Sequence, residues 1–491
     1  MAQPHPFFLW LAILCLSLPC VANSYLNAPL QKAYTETLKL KLPTGTAILQ
    51  AELKKNDKNA VAHLFANYTD FLEICTEQNQ QEIPALIEKQ EERLNRLDKL
   101  KERSAWVDYA KAEIRAQLAM SELLFGNRVA AAWDFRKAYL QYQDNAANYP
   151  DFIPNRKTLG VMQVLLGSVP DQYKWFLNII SLGGNTTLGL KNLKSVANEP
   201  SVFQNEAKLL HALLLQLLDE ENAKATLPQI SALVKEQPDN LLFNFVAVVL
   251  HKKAKMGEKA LQLYQARPVG KVYSSFPYLH HMAADLYLYR GDYEASVKEN
   301  RLFLEKHKGI HYLKAANFKL YLAYWLGNHT PQAKWHYLQV RQVGTDLTEE
   351  DSYAENFVSQ NEQPNRYLVT SRLHADGGYF EQALSEIAKL DITNKTSIPV
   401  QAEYYYRKAR IYHGMNQPTQ ALKYYEATIT VSGDEPLYFA PHAALQSGYL
   451  YQQQKQYTKA KAYYQKALNY KNHPYKNSIQ AKAKLALTTL P

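Results

Sequence analysis

Small side chains and tyrosines recur at fixed spacings in three stretches of the chain. Residues 284–304, 409–429 and 448–468 each begin with a small residue and carry Tyr three positions later. Each stretch is predicted to turn about four residues after that Tyr, and it then places Ala or Ser where a second helix would begin. This spacing predicts two antiparallel helices per stretch, because small residues let two helix backbones approach closely.

The last of these stretches, GYLYQQQKQYTKAKAYYQKAL, shows the expected packing most fully. We expect Gly448 and Ala460 to lie where the two helices meet. The space around that contact is predicted to be filled by three tyrosines, Tyr451, Tyr457 and Tyr464. Ala467 would then receive the following helix.

The predicted second helices are unevenly spaced along the chain. Their small residues are Ser296, Ala333, Ala383, Ala421 and Ala460, which lie 37, 50, 38 and 39 positions apart. The separation of 50 contains the polar and acidic segment 345–365, which predicts a loop with one short helix. Two upstream stretches, 122–139 and 252–266, fit the same frame.

This frame resembles the tetratricopeptide repeat, a helical hairpin of about 34 residues. The resemblance predicts an all-α fold, a tetratricopeptide-type α-hairpin superhelix (α-solenoid), whose hairpins bury their apolar faces chiefly against their neighbours. The pattern contains no convincing strand. An amphipathic helix is expected in residues 82–103, and two helical pieces in 159–182 should meet at Ser168–Pro170, since proline starts helices well and interrupts them.

Four parts follow from this organisation. They are a signal segment, 1–24; an N-terminal helical region with a first repeat, 25–150; a central helical region with degenerate repeats, 151–270; and the C-terminal tetratricopeptide array, 271–491.

The first residues are typical of export. Residues 7–18, FFLWLAILCLSL, form an apolar run that falls short of the roughly 20 residues of a membrane-spanning helix, and small residues follow it. We expect cleavage after Ala22 or Ser24 and a periplasmic or secreted protein of a bacterial envelope, although no Lys or Arg precedes the run. The alternatives are a buried first helix, a lipoprotein site at Cys20, and an apolar segment retained as an anchor.

Composition and charge narrow the function. The chain is 47% hydrophobic and 21% charged, which is unlike a disordered or a membrane-embedded protein. Cleavage would leave Cys75 as the only cysteine, so no internal disulfide could form. The net charge of +10 favours acidic proteins or anionic envelope components as partners. Nucleic acid is disfavoured, because the lysines are interspersed with Glu and Gln.

Several motifs resemble a particular group of repeat proteins. Segment 131–143 carries a Trp-x-x-Arg element, and segment 160–190 carries a pattern of glycine, serine, proline and Gly-Leu. The residues concerned are Trp133, Arg136, Gly160, Ser168, Pro170, Gly189 and Leu190, together with Tyr438–Pro441, Tyr470, Lys471 and Tyr475 near the end. This set resembles the tetratricopeptide repeat protein 39 family, which includes the inclusion-body clearance proteins. The resemblance implies a non-catalytic scaffold, although Asn185 stands where that family favours aspartate.

The corner Gly183-Gly184-Asn185-Thr186-Thr187 could cradle a phosphate or join two helices. A phosphate loop usually follows a strand and has Lys and Ser/Thr directly after its glycines, whereas here the preceding segment is helical and Lys191 comes late. We therefore predict a turn, with Gly183 in the left-handed conformation at the end of one helix and Asn185 or Thr186 as the N-cap of the next.

Catalytic and metal-binding motifs do not emerge from the pattern. His280 and His281 point to different faces of one helix, and His307 and His311 flank Gly309, which we place in a turn. The sequence contains no HExxH, CxxC or nucleophile-elbow motif. We predict a non-enzymatic protein without a cofactor or a metal ion.

The candidate binding site is the inner groove of the array. First-helix positions beside the small residue place five polar side chains on neighbouring helices, namely Arg372, Arg407, Arg410, Gln446 and Tyr449. Stacked arginines with an amide and a phenol can hold a carboxylate or a peptide backbone by charge-assisted hydrogen bonds; the alternative is a solvated face. The sequence thus predicts an exported scaffold that binds a protein or peptide in its groove, or else a membrane-surface or intracellular adaptor.

Overall fold

The computed structural model describes residues 25–168, 181–218, 223–360 and 364–491. All regular secondary structure in these ranges is helical. The predicted signal segment and most of the helical piece after Pro170 lie outside the described residues.

The helices fall into three groups along the chain. The N-terminal group is α1 (Ala28–Leu38), α2 (Leu42–Lys55), α3 (Ala60–Glu77), α4 (Ile83–Asp98), α5 (Ala105–Phe125) and α6 (Arg128–Asn148). The central group is α7 (Asn155–Gly167), α8 (Thr186–Asn198), α9 (Gln204–Leu218), α10 (Leu227–Glu236), α11 (Leu241–Lys253) and α12 (Gly257–Gln265). The C-terminal group is α13 (Tyr278–Arg290), α14 (Tyr293–Lys306), α15 (Leu313–Leu326), α16 (Thr330–Gln339), α17 (Glu349–Ser359), α18 (Arg366–Gly377), α19 (Phe380–Ile387), α20 (Ile398–Gly414), α21 (Pro418–Ser432), α22 (Phe439–Gln453), α23 (Tyr457–Asn469) and α24 (Lys476–Thr488).

The predicted hairpins are confirmed. Each of the pairs α13–α14, α15–α16, α18–α19, α20–α21 and α22–α23 packs together, and the first helices α18, α20 and α22 also contact one another in order. Short turns join the two helices of each pair. Gly291 and Gly378 end α13 and α18 with φ of 88° and 82°, the left-handed conformation that glycine adopts without a steric cost.

Close packing at a small residue holds the α22–α23 hairpin together. A Cβ atom on Gly448 would lie 2.3 Å from a ring carbon of Tyr464, so the tyrosine ring fills the space that a side chain would need. Ala460 and Tyr464 are fully buried, as predicted, and Ala467 is buried where α24 packs on α23. The prediction for Tyr457 was wrong: this residue begins α23 and is 38% exposed, because the first position of the helix points away from the hairpin contact.

A second close contact joins α7 and α8. A Cβ atom on Gly160 would lie 2.7 Å from the carbonyl oxygen of Gly189, and one on Gly189 would lie 2.5 Å from that of Gly160. Two glycines of the motif that resembled a known family therefore allow two helix backbones to touch.

The N-terminal and central groups share one apolar core. Its buried members run from Leu30 to Leu214, across the predicted boundary at residue 150. A fully buried Lys157 lies within it, with its Nζ 2.9 Å from a Glu206 oxygen and 3.2 Å from a Glu113 oxygen. Such an ion cluster is tolerated inside a core because each charge is paired and hydrogen-bonded.

Within its described residues, 345–360 and 364–365, the acidic insertion contains one helix, as predicted. This helix, α17, packs on α15, and Asp351 accepts hydrogen bonds from the backbone N–H groups of Tyr312 and Ala315 at 2.6 and 2.9 Å. The next helix, α18, packs on α13, and the close approach of Gly378 to the carbonyl oxygen of Lys255 brings it against the α11–α12 turn. The insertion thus lets the chain fold back onto earlier hairpins.

The substitution Gly448→Ala tests the hairpin contact. Alanine favours a helix by about 1 kcal/mol over glycine, but overpacking against Tyr464 costs about 1–3 kcal/mol, so we expect a net loss of stability. Urea unfolding followed by circular dichroism measures the free energy of unfolding. Gly183→Ala is the control, because no atom lies within 4 Å of its Cβ position. Equal or higher stability of Gly448→Ala would contradict the packing account.

Candidate partner-binding groove

The five predicted site residues lie on the three consecutive first helices. Arg372 is on α18, Arg407 and Arg410 are on α20, and Gln446 and Tyr449 are on α22. All five side chains are partly buried. We refer to Arg372, Arg407, Arg410 and Gln446 together as the arginine groove.

Arg372 is held by the inserted helix. Its Nη1 donates a hydrogen bond to the Tyr353 hydroxyl of α17, and its guanidinium carbon lies 5.8 Å from the centre of that ring. A cation over an aromatic face is attracted by the ring's quadrupole. Burial lowers the pKa of Arg372, and so does the nearby charge of Arg407. The nearby Tyr353 raises this pKa, and the net result is a rise. The two guanidinium groups therefore share one electrostatic environment.

Arg407 is held by hydrogen bonds and by aromatic rings. Its Nε and Nη2 donate to Glu403, one turn earlier, at 3.0 and 2.8 Å, and Nη2 also lies 3.4 Å from the Tyr438 hydroxyl. Its guanidinium lies over the rings of Tyr406 and Phe439, 5.5 and 6.0 Å from their centres. These contacts fix the direction of the side chain.

Arg410 bridges two neighbouring first helices. Its Nη1 donates to Gln446 Oε1 at 2.8 Å, so the predicted proximity of these two residues is observed. It also hydrogen-bonds the Tyr425 hydroxyl, which lies 3.0 Å from His413 Nδ1.

The histidines beside the groove report its electrostatic potential. Burial, followed by the charges of Arg410, Lys255 and Lys224, lowers the pKa of His413 to about 3. Burial lowers the pKa of His442 well below its usual value, with contributions from Arg410, Lys482 and Arg407. The largest charge contributions at both imidazoles come from basic side chains, and both imidazoles are neutral at neutral pH.

Tyr449 contacts the second helix of its own hairpin. Its ring packs edge-on against Tyr464 of α23, with centres 5.6 Å apart.

The preceding hairpins show a different charge balance. Lys319 Nζ lies 2.9 Å from Asp285 and 3.0 Å from Glu350, and Lys252 also pairs with Asp285. Glu350 further accepts from His281 Nε2 at 2.9 Å. Two lysines, on the first helices α11 and α15, thus pair with two carboxylates, one on the first helix α13 and one on α17. The basic charge of the first-helix face is neutralised here and is in excess further along, in the arginine groove.

Two residues of the site were not anticipated from the sequence. Tyr353 and Tyr438 orient Arg372 and Arg407. The sequence pattern did not place either tyrosine beside an arginine, because their proximity depends on how the helices pack. For Tyr353, the one sequence feature that could have indicated a role in the site was the presence of a tyrosine within the acidic insertion.

The other candidate sites resolve into structural features. Asn185 is the N-cap of α8, and its side chain accepts from Leu188 N, as predicted for a turn. The left-handed residue is Ser181, with φ of 50°, and not Gly183. Gly184 instead gives room for α7, since its Cβ would lie 2.0 Å from Gly167 N.

Within the described ranges no group of His, Cys, Asp or Glu is arranged to hold a metal ion. Burial raises the pKa of the Cys75 thiol to about 12.

The pH dependence of stability tests the potential at the groove. Because the folded-state pKa of His413 lies below the unfolded value of about 6.5, the unfolded chain takes up the proton first as the pH falls. His413 should therefore cost at most about 1.4 kcal/mol of stability per pH unit between pH 6.5 and 3. In urea unfolding at pH 7 and 5, His413→Asn should lose less stability than the wild type. An equal loss would show that the imidazole is not held neutral.

Comparison with known proteins supports the repeat assignment. The family model described as tetratricopeptide repeat matches residues 402–434 and 441–474, which fall on α20–α21 and α22–α23. No curated protein matches the chain. Among the part of the chain that the structure describes, no helix is long and apolar enough to cross a membrane.

Solved structures of similar architecture share little sequence with this chain. The human IFIT1 dimer with m7Gppp-AAAA is 14% identical over 88% of this chain and 94% of that chain, with a TM-score of 0.36. The APC/C hetero-tetramer Cut9–Hcn1 is 11% identical over 93% and 95%, with a TM-score of 0.27. The P58(IPK) TPR domain is 14% identical over 83% and 98%, with a TM-score of 0.21.

The fold is therefore an all-α tetratricopeptide superhelix, and α20–α23 carry two tetratricopeptide repeats. Such repeats form scaffolds that bind protein partners. The narrower likeness to the tetratricopeptide repeat protein 39 family is not supported by these comparisons.

Proposed function

We propose that this chain is a non-enzymatic scaffold that holds an acidic peptide segment of a protein partner in the arginine groove. The observation that carries this proposal is the excess of basic charge on consecutive first helices. Three arginines, Arg372, Arg407 and Arg410, share one surface, against the two carboxylates Glu403, which is bonded to Arg407, and Asp376. A carboxylate placed there would gain charge-assisted hydrogen bonds from guanidinium groups that are already oriented.

The same surface offers little for catalysis. The tyrosines nearest the arginines have pKa values raised to about 12 by burial, in the case of Tyr406, Tyr425 and Tyr438, so none is a phenolate at neutral pH. The neighbouring imidazoles are neutral but already hydrogen-bonded to Tyr425 and Tyr406. Binding is therefore the function that these groups support best.

Titration with an acidic peptide tests the groove. The probe is fluorescein-labelled Glu-Glu-Asp-Ser-Ala with a free terminal carboxylate, and fluorescence anisotropy gives the Kd. We expect Arg410→Ala to raise the Kd about tenfold or more, since one charge-assisted hydrogen bond contributes about 1.5–3 kcal/mol. Glu403→Gln should lower the Kd about two- to fivefold, because it removes the competing carboxylate.

The double variant Lys395→Ala, Lys461→Ala is the matched control, because both lysines are exposed and lie outside the groove. It should leave the Kd unchanged within a factor of two, and circular dichroism should show unaltered helix content in all variants. The same loss of affinity in the control and in Arg410→Ala would show non-specific attraction. The IFIT1 structures carry m7Gppp-AAAA or PPP-AAAA. Tighter binding of PPP-AAAA than of the peptide would overturn the assignment of a protein partner.

We also propose that the chain is exported and that its first residues are removed. The first described contacts are those of Tyr25, whose carbonyl accepts from Asn59 Nδ2, and of Asn27, which caps α1. Cleavage after Ala22 or Ser24 would preserve all of these contacts.

N-terminal sequencing of the protein purified from its native cells tests this proposal. We expect a mature start at Asn23 or Tyr25. An intact N-terminus at Met1 would instead support an adaptor that retains its apolar segment.

A further inference from the structure

Three tyrosines form a cluster beside Arg372 and Arg407 of the arginine groove. Tyr353 holds Arg372, Tyr438 lies beside Arg407, and the ring of Tyr475 packs edge-on against Tyr438 with centres 5.3 Å apart. The Tyr475 hydroxyl also lies within electrostatic reach of Tyr353, Arg372 and Glu349. The cluster thus joins the middle of α17 to the starts of α22 and α24, beside two of the three arginines.

Tyr475 is the exposed member of this cluster. Its side chain is 54% exposed, in contrast to the half-buried Tyr353 and Tyr438. It stands directly before α24 in the left-handed conformation, with φ of 64°, which is unfavourable for a residue with a large side chain. An exposed aromatic ring is therefore held in a strained position beside two guanidinium groups.

The chain itself shows what kind of segment the adjoining surface accepts. Helix α17 lies on the same face, with the sequence EEDSYAENFVS. Its carboxylates bind basic groups of the first helices, Glu350 with Lys319 and Glu355 with Lys314 at 3.0 and 2.8 Å. Its Tyr353 hydroxyl accepts from Arg372, and its Phe357 ring packs on Phe318 with centres 4.7 Å apart. Acidic and aromatic side chains together satisfy this surface.

The surface continues past Arg372 with the same chemistry, basic groups beside aromatic rings. Beyond Arg372 it offers Arg407 and Arg410 for carboxylates and the Tyr475 ring for an aromatic side chain. Glu349, which is exposed at the start of α17, is the acidic group beside Tyr475, and it would repel a carboxylate placed directly on the ring. The aromatic residue of a partner should therefore meet Tyr475 while its carboxylates meet the arginines.

We propose that the partner segment combines acidic residues with an aromatic residue, and that Tyr475 determines this specificity by packing against the aromatic side chain. The proposal rests on the arginine groove as the binding site. It adds one residue, Tyr475, to the binding site. It also requires an aromatic side chain in the ligand, which charge alone does not.

Paired peptides separate the aromatic contribution from the charge contribution. Glu-Glu-Asp-Ser-Tyr and Glu-Glu-Asp-Ser-Ala have equal charge, and the wild-type chain should bind the first about three- to tenfold more tightly, the range for one aromatic pair. Tyr475→Asn removes the ring and tolerates the left-handed conformation, so it should abolish this preference while leaving the Kd of the alanine peptide unchanged. Tyr475→Phe should retain the preference.

Tyr457→Asn is the matched control, because Tyr457 is also an exposed tyrosine at the start of a helix but lies on the second helix α23. It should keep the full preference for the tyrosine peptide. Equal binding of the two peptides by the wild type, or a preference that survives Tyr475→Asn, would overturn the role of Tyr475 while leaving the arginine groove intact. Failure of both peptides to bind would instead reject the groove itself.

Discussion

Close contact between helices at glycine and other small residues is the constraint on which this structure depends. Gly448 meets the Tyr464 ring, and Gly160 meets Gly189, at distances that leave no room for a Cβ atom. Because the two helices of a hairpin touch, their first helices can also pack side by side, as α18, α20 and α22 do. This stacking brings arginines that lie 35 or more positions apart in sequence, such as Arg372 and Arg407, onto one surface.

Charge is distributed unevenly along that surface, and the inserted helix α17 explains why. Where α17 supplies Glu350, the lysines of the preceding hairpins are neutralised. Glu355 likewise pairs with Lys314 of α15, whereas Arg407 on α20 pairs with Glu403 of its own helix. The insertion therefore closes one part of the first-helix face and leaves the next part basic.

Local spacing was sufficient to predict the hairpins, because each depends on small residues and tyrosines that are close in sequence. The buried Ser296, Ala333, Ala383, Ala421 and Ala460 all lie on the predicted second helices. Contacts between distant segments were not predictable in this way. The pairing of Lys157 with Glu113 and Glu206, and the return of α18 to α13, depend on how hairpins are placed after an insertion.

The groove was predictable in position but not in detail. The repeat frame placed Arg410 beside Gln446, which are hydrogen-bonded. It also assigned Tyr449 to the groove, although that ring packs on Tyr464, because the frame defines a helix face more coarsely than a side-chain direction. The sequence did not indicate Tyr475 as a site residue, because its position depends on its own left-handed conformation between two helices.

The central claim is that an acidic segment lies along the first helices of the C-terminal array. A crystal structure of the full chain with a bound acidic peptide tests it most directly. The account predicts peptide carboxylates within hydrogen-bonding distance of the Arg407 and Arg410 guanidinium groups, on the face formed by α18, α20 and α22. Density for the peptide on the second helices α19, α21 and α23 would contradict it.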